Sequence, residues 1–159
     1  MDNAGNLVWN RRLGAAENAR RRLPAMVRSF FAETRRLLAA DPLPAELHVI
    51  RLAGKRLRYT LELFRPCYGP GLHTRLADLQ QLQQILGEVN DCAATEQLIR
   101  RLTPHSPSRM AAGEFLQKRA WAKAAELRRQ WQEDFDAPGK EQWWLLYLSR
   151  RAKAPKPRL

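Results

Sequence analysis

The chain has 159 residues, with 28 Lys and Arg against 16 Asp and Glu, a formal net charge of +12 and a pI near 10.8. That length suits one domain with a real core. The two cysteines, Cys67 and Cys92, form no CxxC pair and meet no histidine at zinc-finger spacing, so neither a disulfide framework nor a metal site is expected, and reduced structural thiols fit best.

Of the 28 cations 22 are arginine, whose planar fork donates two parallel hydrogen bonds to an oxyanion. The first expectation is therefore a polyanionic partner: nucleic acid, an anionic membrane surface or a phosphate polymer. The N-terminal stretch MDNAGNLVWNRR lacks the apolar core of a signal peptide, and no apolar run is long enough to span a bilayer, so a cytoplasmic location is expected.

Proline and glycine clusters at DPLP (41–44), PCYGPG (66–71), TPHSPS (103–108) and DAPG (136–139) separate segments with helical apolar spacing. The first, from about Leu7 to Ala40, puts Leu23, Val27, Phe30, Thr34 and Leu37 on one face. Pro24 within it either kinks one long helix or opens a new one at its first turn. Arg21, Arg28 and Arg35 recur every seven residues away from that face, where solvent or a ligand can meet them. Arg20 lies nearer the core boundary and is the better site candidate.

Helix two is expected between Pro44 and Pro66, about 20 residues and roughly 30 Å long. Its seam is Leu47, Ile50, Gly54, Leu57, Leu61 and Phe64, alternately three and four apart. Helix three is expected from about Gly71 to Leu86 on Leu72, Leu76, Leu79, Leu82 and Leu86, with a shorter helix following Asn90 to Leu102. Helix four uses Leu116, Ala120, Ala124, Leu127, Trp131 and Phe135. WWLLYL (143–148) is expected to pack as a last amphipathic turn, the alternative being an interfacial membrane anchor. No alternating β-branched run or Asn-Gly turn signal appears, so a sheet is excluded. The expected fold is all-α, an antiparallel four-helix bundle with short extra helices and a basic C-terminal tail. Residues 1–150 form the single domain and 151–159 a disordered tail.

Helix two carries the densest chemistry. Within "HVIRLAGKRLRYTLELF" (48–64) stand His48, Arg51, Lys55, Arg56 and Arg58. At about 100° per residue, Arg58, Arg51, Lys55 and His48 form one stripe beside the apolar seam. Neighbours at i+3 and i+4 are close enough to repel, and Glu62 on the same stripe can offset one cation but leaves the others without a local partner. A solvated basic face, or cationic stems snorkelling over the core edge, is one reading. An anion lying along the stripe is the other, and it is favoured because the stripe flanks the core, begins with a histidine, and is accompanied by Gly54, which would let a neighbouring helix approach.

The stretches "LHVIRLAGKRLRYTLELF" and "LQQILGEVNDCAA" resemble the conserved-histidine α-helical domain, CHAD, whose patterns His-x-x-Arg-x-x-x-Lys-Arg-x-Arg-Tyr and Leu-Gln-x-x-Leu-Gly-x-x-x-Asp they fit. The resemblance is dense over residues 47–94 and looser in the flanking helices. It implies a helical module that binds inorganic polyphosphate, in bacteria often at polyphosphate granules. Carried over by position, His48, Arg51, Lys55, Arg58 and Arg56 are polyphosphate contacts, Gln83 can donate to a phosphate oxygen, and Asp91 can hold a neighbouring arginine. Asp91 also reads as an early-turn acid of a helix capped by Asn90. Family members typically have two similar halves, and this chain resembles one, which implies either a homodimer or a half working alone.

Nucleic-acid backbone binding is the alternative, since counterion release would use the same charge, although no helix-turn-helix, zinc finger or aromatic RNA-binding motif is visible. Catalysis is not expected, nor is a cofactor. Glu88 and Asp91 are a lone helical acid pair, and the alternating Glu-x-Glu-x-Lys strand of the triphosphatases fused to some relatives is missing.

Overall fold

Pro24 does not end the first helix. In the computed structural model, which describes residues 9–102 and 106–155, α1 runs unbroken over Ala15–Ala39 with Pro24 inside it. Pro24 has no N–H to give the carbonyl of Arg20, but Leu23 and Val27 on either side are fully buried, and that packing holds the helix together across the gap. The predicted face is buried through Leu23, Val27, Phe30 and Thr34, with Phe31 added. Asp41, just beyond the helix, takes a φ of 49°, a left-handed turn that Asp tolerates better than most residues, and pairs with Arg128 at 2.7 Å.

A 3-10 turn over Pro44–Leu47 leads into α2, His48–Leu63. The Glu46 carboxylate accepts from the Leu43 backbone N–H at 2.6 Å and fastens this entrance. Ile50, Gly54, Leu57 and Leu61 are the buried side of α2, as the sequence spacing requires. After a single turn, α3 (Arg65–Tyr68), and a 3-10 turn over Gly69–Gly71, α4 runs over Leu72–Leu102 and α5 over Pro107–Gln130. A π-helical turn, Trp131–Phe135, ends α5, and α6 spans Lys140–Arg150.

Two expectations are corrected here. The helix expected to restart at Asn90 is part of one continuous 31-residue α4. Asn90 sits inside the helix, where there are no unpaired N–H groups for a cap to meet; its side chain meets His48 instead, and Val89 and Cys92 are buried on either side of it. The tail beginning at residue 151, expected to be disordered, is docked at its start. Ala152 is buried, its carbonyl accepts from Arg20 at 3.0 Å, and the Lys153 N–H donates to the Cys67 carbonyl at 2.8 Å. The expected helix start at Leu7 and the last four tail residues lie outside the described residues.

No strand occurs among the described residues. α4 packs along α5 and α2, and α1 along α6 and α2. Phe30, Phe31, Trp131, Phe135 and Trp144 form the aromatic centre, where the π turn aligns Trp131 and Phe135 as a parallel stack 5.1 Å apart. WWLLYL is therefore a core element: Trp144 and Leu148 are fully buried, and Tyr68 Oη donates to the Leu148 carbonyl at 2.7 Å. No helix among the described residues is long and apolar enough to cross a membrane.

Candidate anion-binding groove

α2 lies against α4 through its apolar seam, so the residues beside that seam face the shoulder between the two helices. Arg51, Lys55, Arg58 and Tyr59 from α2 and Gln83 from α4 line a groove of about 210 Å³ there. Four of the residues named from the sequence thus come together: Arg51, Lys55, Arg58 and Gln83.

Unmet hydrogen-bonding capacity gives the groove its chemistry. The Gln83 Nε2 and the Arg58 Nε are both buried and have no acceptor among the described residues. Buried donors are nearly always paired, so these two, just beneath the surface of one groove, are unmet capacity that a turn of either side chain would bring to an acceptor lying there. Arg51 and Lys55 have no carboxylate partner among the described residues. Arg58 donates to Glu62 at 3.1 Å, the offset expected from their shared face, and its guanidinium lies 4.9 Å from the centre of the Tyr59 ring. Lys55 Nζ approaches the same ring at 5.6 Å. Tyr59 thus holds both cations at the groove edge through its π face. It was not singled out in the sequence, although its place four residues after Lys55 carries the signal.

Gly54 stands behind the groove. A Cβ there would lie 3.6 Å from Phe30 Cε2 and 3.9 Å from Gln83 Nε2, ordinary contact distances. The glycine is therefore not required for a close backbone approach, contrary to the sequence reading, and it faces two side chains.

His48 continues the stripe one turn before Arg51. It is exposed, and its Nδ1 lies 2.9 Å from Asn90 Oδ1, which ties the start of α2 to α4. Arg56 is exposed but does not line the groove. Its position is about 100° around α2 from Lys55, because consecutive helical residues cannot share a face.

Arg20 does not join these residues at the groove. It bridges Glu17 at 2.6 Å and the Ala152 carbonyl, fastening the chain end to α1. The hydrogen bond from Arg20, then that from Arg21, hold the Glu17 carboxyl below the usual range. Arg35 is likewise a cross-link, donating to Asp136 at 2.5 Å and to Glu141 at 2.6 Å. Asp91 is exposed within α4 and makes no ion pair among the described residues, while Glu88 pairs with Lys123 at 2.8 Å.

A family model described as CHAD domain matches residues 3–100, which takes in α1 to α3, nearly all of α4 and the whole groove. No curated protein and no solved structure matches the chain.

Proposed function

Because the chain belongs to the CHAD domain family, we propose that it binds inorganic polyphosphate along α2, with Arg51, Lys55, Arg58 and Gln83 as the central contacts and His48 extending the row. The observation that carries this reading is the pair of orphaned donors, Gln83 Nε2 and Arg58 Nε, on residues lining a groove where Arg51 and Lys55 have no carboxylate partner among the described residues. Both donors are buried as the chain stands, so a phosphate in the groove would meet them once the two side chains turn outward, and each charge-assisted hydrogen bond so formed contributes about 1.5 to 3 kcal/mol. From His48 to Arg58 the row extends about 15 Å, which suits an extended polymer better than a single phosphate.

The make-up of the groove favours this ligand over single-stranded nucleic acid. Binders of single strands stack successive bases on several aromatic side chains, whereas Tyr59 is the one aromatic among the described residues that line this groove. Binding of this kind needs no catalytic residue and no cofactor, so the protein acts as a binder, in the cytoplasm and at polyphosphate granules. The scaffold is read as an antiparallel four-helix bundle, and the partner besides polyphosphate as a second copy of the chain.

Charge-matched double variants test the proposal. Lys55→Glu with Arg58→Glu, and Arg150→Glu with Arg151→Glu, change net charge equally. Diffuse attraction would weaken both to the same degree, whereas a groove site predicts at least a tenfold greater loss in the α2 variant, with wild-type helicity in each. Equal losses, or single-stranded RNA displacing polyphosphate at equal phosphate concentration, would refute it.

A further inference from the structure

α2 has a second seam that no helix among the described residues covers. Val49, Leu52, Tyr59 and Leu63 are 61, 50, 47 and 78% exposed. With Arg56 at the centre they stand three, four, three and four residues apart, the spacing at which a helix presents one continuous edge to another helix. Scattered surface leucines are ordinary, but a row in this register along a whole helix is a docking edge.

The row is nearly palindromic about Arg56. Val49 and Leu63 lie seven residues to either side, and Leu52 and Tyr59 four and three. Two α2 helices crossing antiparallel at Arg56 would set Val49 of each copy against Leu63 of the other and Leu52 against Tyr59. That self-complementarity is what a twofold contact requires.

Arg56 opposes the contact it centres. At the crossing point the two copies bring guanidinium against guanidinium, and Arg56 has no ion pair among the described residues to soften the repulsion. Lys55 and Arg58 add to it from the adjoining face. The groove points about 100° away from the exposed row. An antiparallel twofold whose axis is perpendicular to the plane of the two helices therefore brings both grooves to the same side, with the Arg56 pair between them. An anionic chain lying across that side would touch both grooves and neutralise the pair.

We infer that polyphosphate closes a homodimer through the Val49–Leu63 edge of α2, with Arg56 as the residue that keeps the copies apart until the anion arrives. This rests on the polyphosphate reading above. It also gives Arg56 a ligand contact, which the groove of one copy does not supply.

Short polyphosphate of defined length is the probe, because a long polymer would string copies together with no contact between them. Sedimentation of the full chain should give the 18.4 kDa monomer alone and about twice that mass with ligand, but not with orthophosphate at equal phosphate. Leu52→Glu, a change at an exposed site, should stay monomeric in the presence of ligand while still binding it more weakly. Arg56→Leu should dimerise without ligand. A wild-type chain that binds the oligophosphate yet stays monomeric overturns the inference, as does a Leu52→Glu chain that dimerises normally. If polyphosphate does not bind at all, the functional reading fails, and Arg56→Leu then decides the edge separately: a monomer overturns it.

Discussion

His48 on α2 and Asn90 on α4 share a hydrogen bond, ring Nδ1 to side-chain Oδ1, at 2.9 Å. The carboxamide oxygen accepts and Nδ1 donates, so the bond ties the first turn of α2 to the middle of α4 and fixes the ring at the head of the row that Arg51, Lys55 and Arg58 continue.

Removing this bond should loosen the start of α2. His48→Ala should lower the melting temperature by about 1 to 6 °C, the equivalent of one ordinary hydrogen bond of about 0.5 to 1.5 kcal/mol, and weaken polyphosphate binding. A His48→Ala protein that melts with the wild type would show that the bond does not hold α2 to α4.

The seam of α2 and the stripe beside it were both readable from the sequence, because a three-four spacing fixes which residues share a face before any partner helix is known. Gln83 needed the family pattern, since a glutamine on a helix has no periodic signature, and the structure then brought it against α2. Asn90 was misread because a cap and a tertiary hydrogen bond use the same short polar side chain. Arg20 looked like a ligand cation, and Arg35 like one open to solvent or a ligand, for a related reason: Ala152, Asp136 and Glu141, which engage them, lie over a hundred residues away in sequence, and helical periodicity says nothing about such distant partners.

Gly54→Ala should stabilise the protein. The new methyl would make ordinary contact with Phe30 and Gln83, while a helical glycine costs about 0.8 to 1 kcal/mol relative to alanine. Thermal melts should show a gain of about 2 to 4 °C, with polyphosphate affinity unchanged because the Gln83 amide keeps its place. Gly54→Leu should do the opposite, pressing on Phe30 and displacing Gln83. A loss of stability in Gly54→Ala would mean that the helix cannot accept even a methyl there.

Asp78→Asn should also stabilise at neutral pH. Burial, then the nearby Asp134, push the Asp78 carboxyl above its ordinary range, against the pull of Lys140 and Arg75. An acid whose folded pKa is raised destabilises the fold wherever it is ionised in both states, and it has no such effect below its unfolded value of about 3.9. The gain in melting temperature should therefore be full at pH 7, shrink as pH falls through the raised folded pKa, and vanish below the unfolded one. A gain independent of pH would point to a packing effect instead.

Arg75 is the cation that α6 depends on. It is 3% exposed, donates to the Gly71 carbonyl at 3.1 Å and the Trp143 carbonyl at 2.7 Å, and lies 3.3 Å from the centre of the Trp143 ring and 4.0 Å from that of Tyr147. Burial pulls its pKa down to about 10, opposed by Tyr147 and Asp78, so it remains charged at neutral pH. Lysine at this position would keep the charge but lack the plane that stacks on Trp143 while reaching two carbonyls on opposite sides. Arg75→Lys should lose at least one charged hydrogen bond, about 1.5 to 3 kcal/mol, and lower the melting temperature by about 3 to 12 °C. Arg75→Met should lose more, since both carbonyls are then left without their donor. Helicity should survive in the lysine variant while tryptophan fluorescence shifts, because Trp143 and Trp144 loosen together with the end of α6. An Arg75→Met protein that melts with the wild type would show that α6 is held by Trp144 and Leu148 alone.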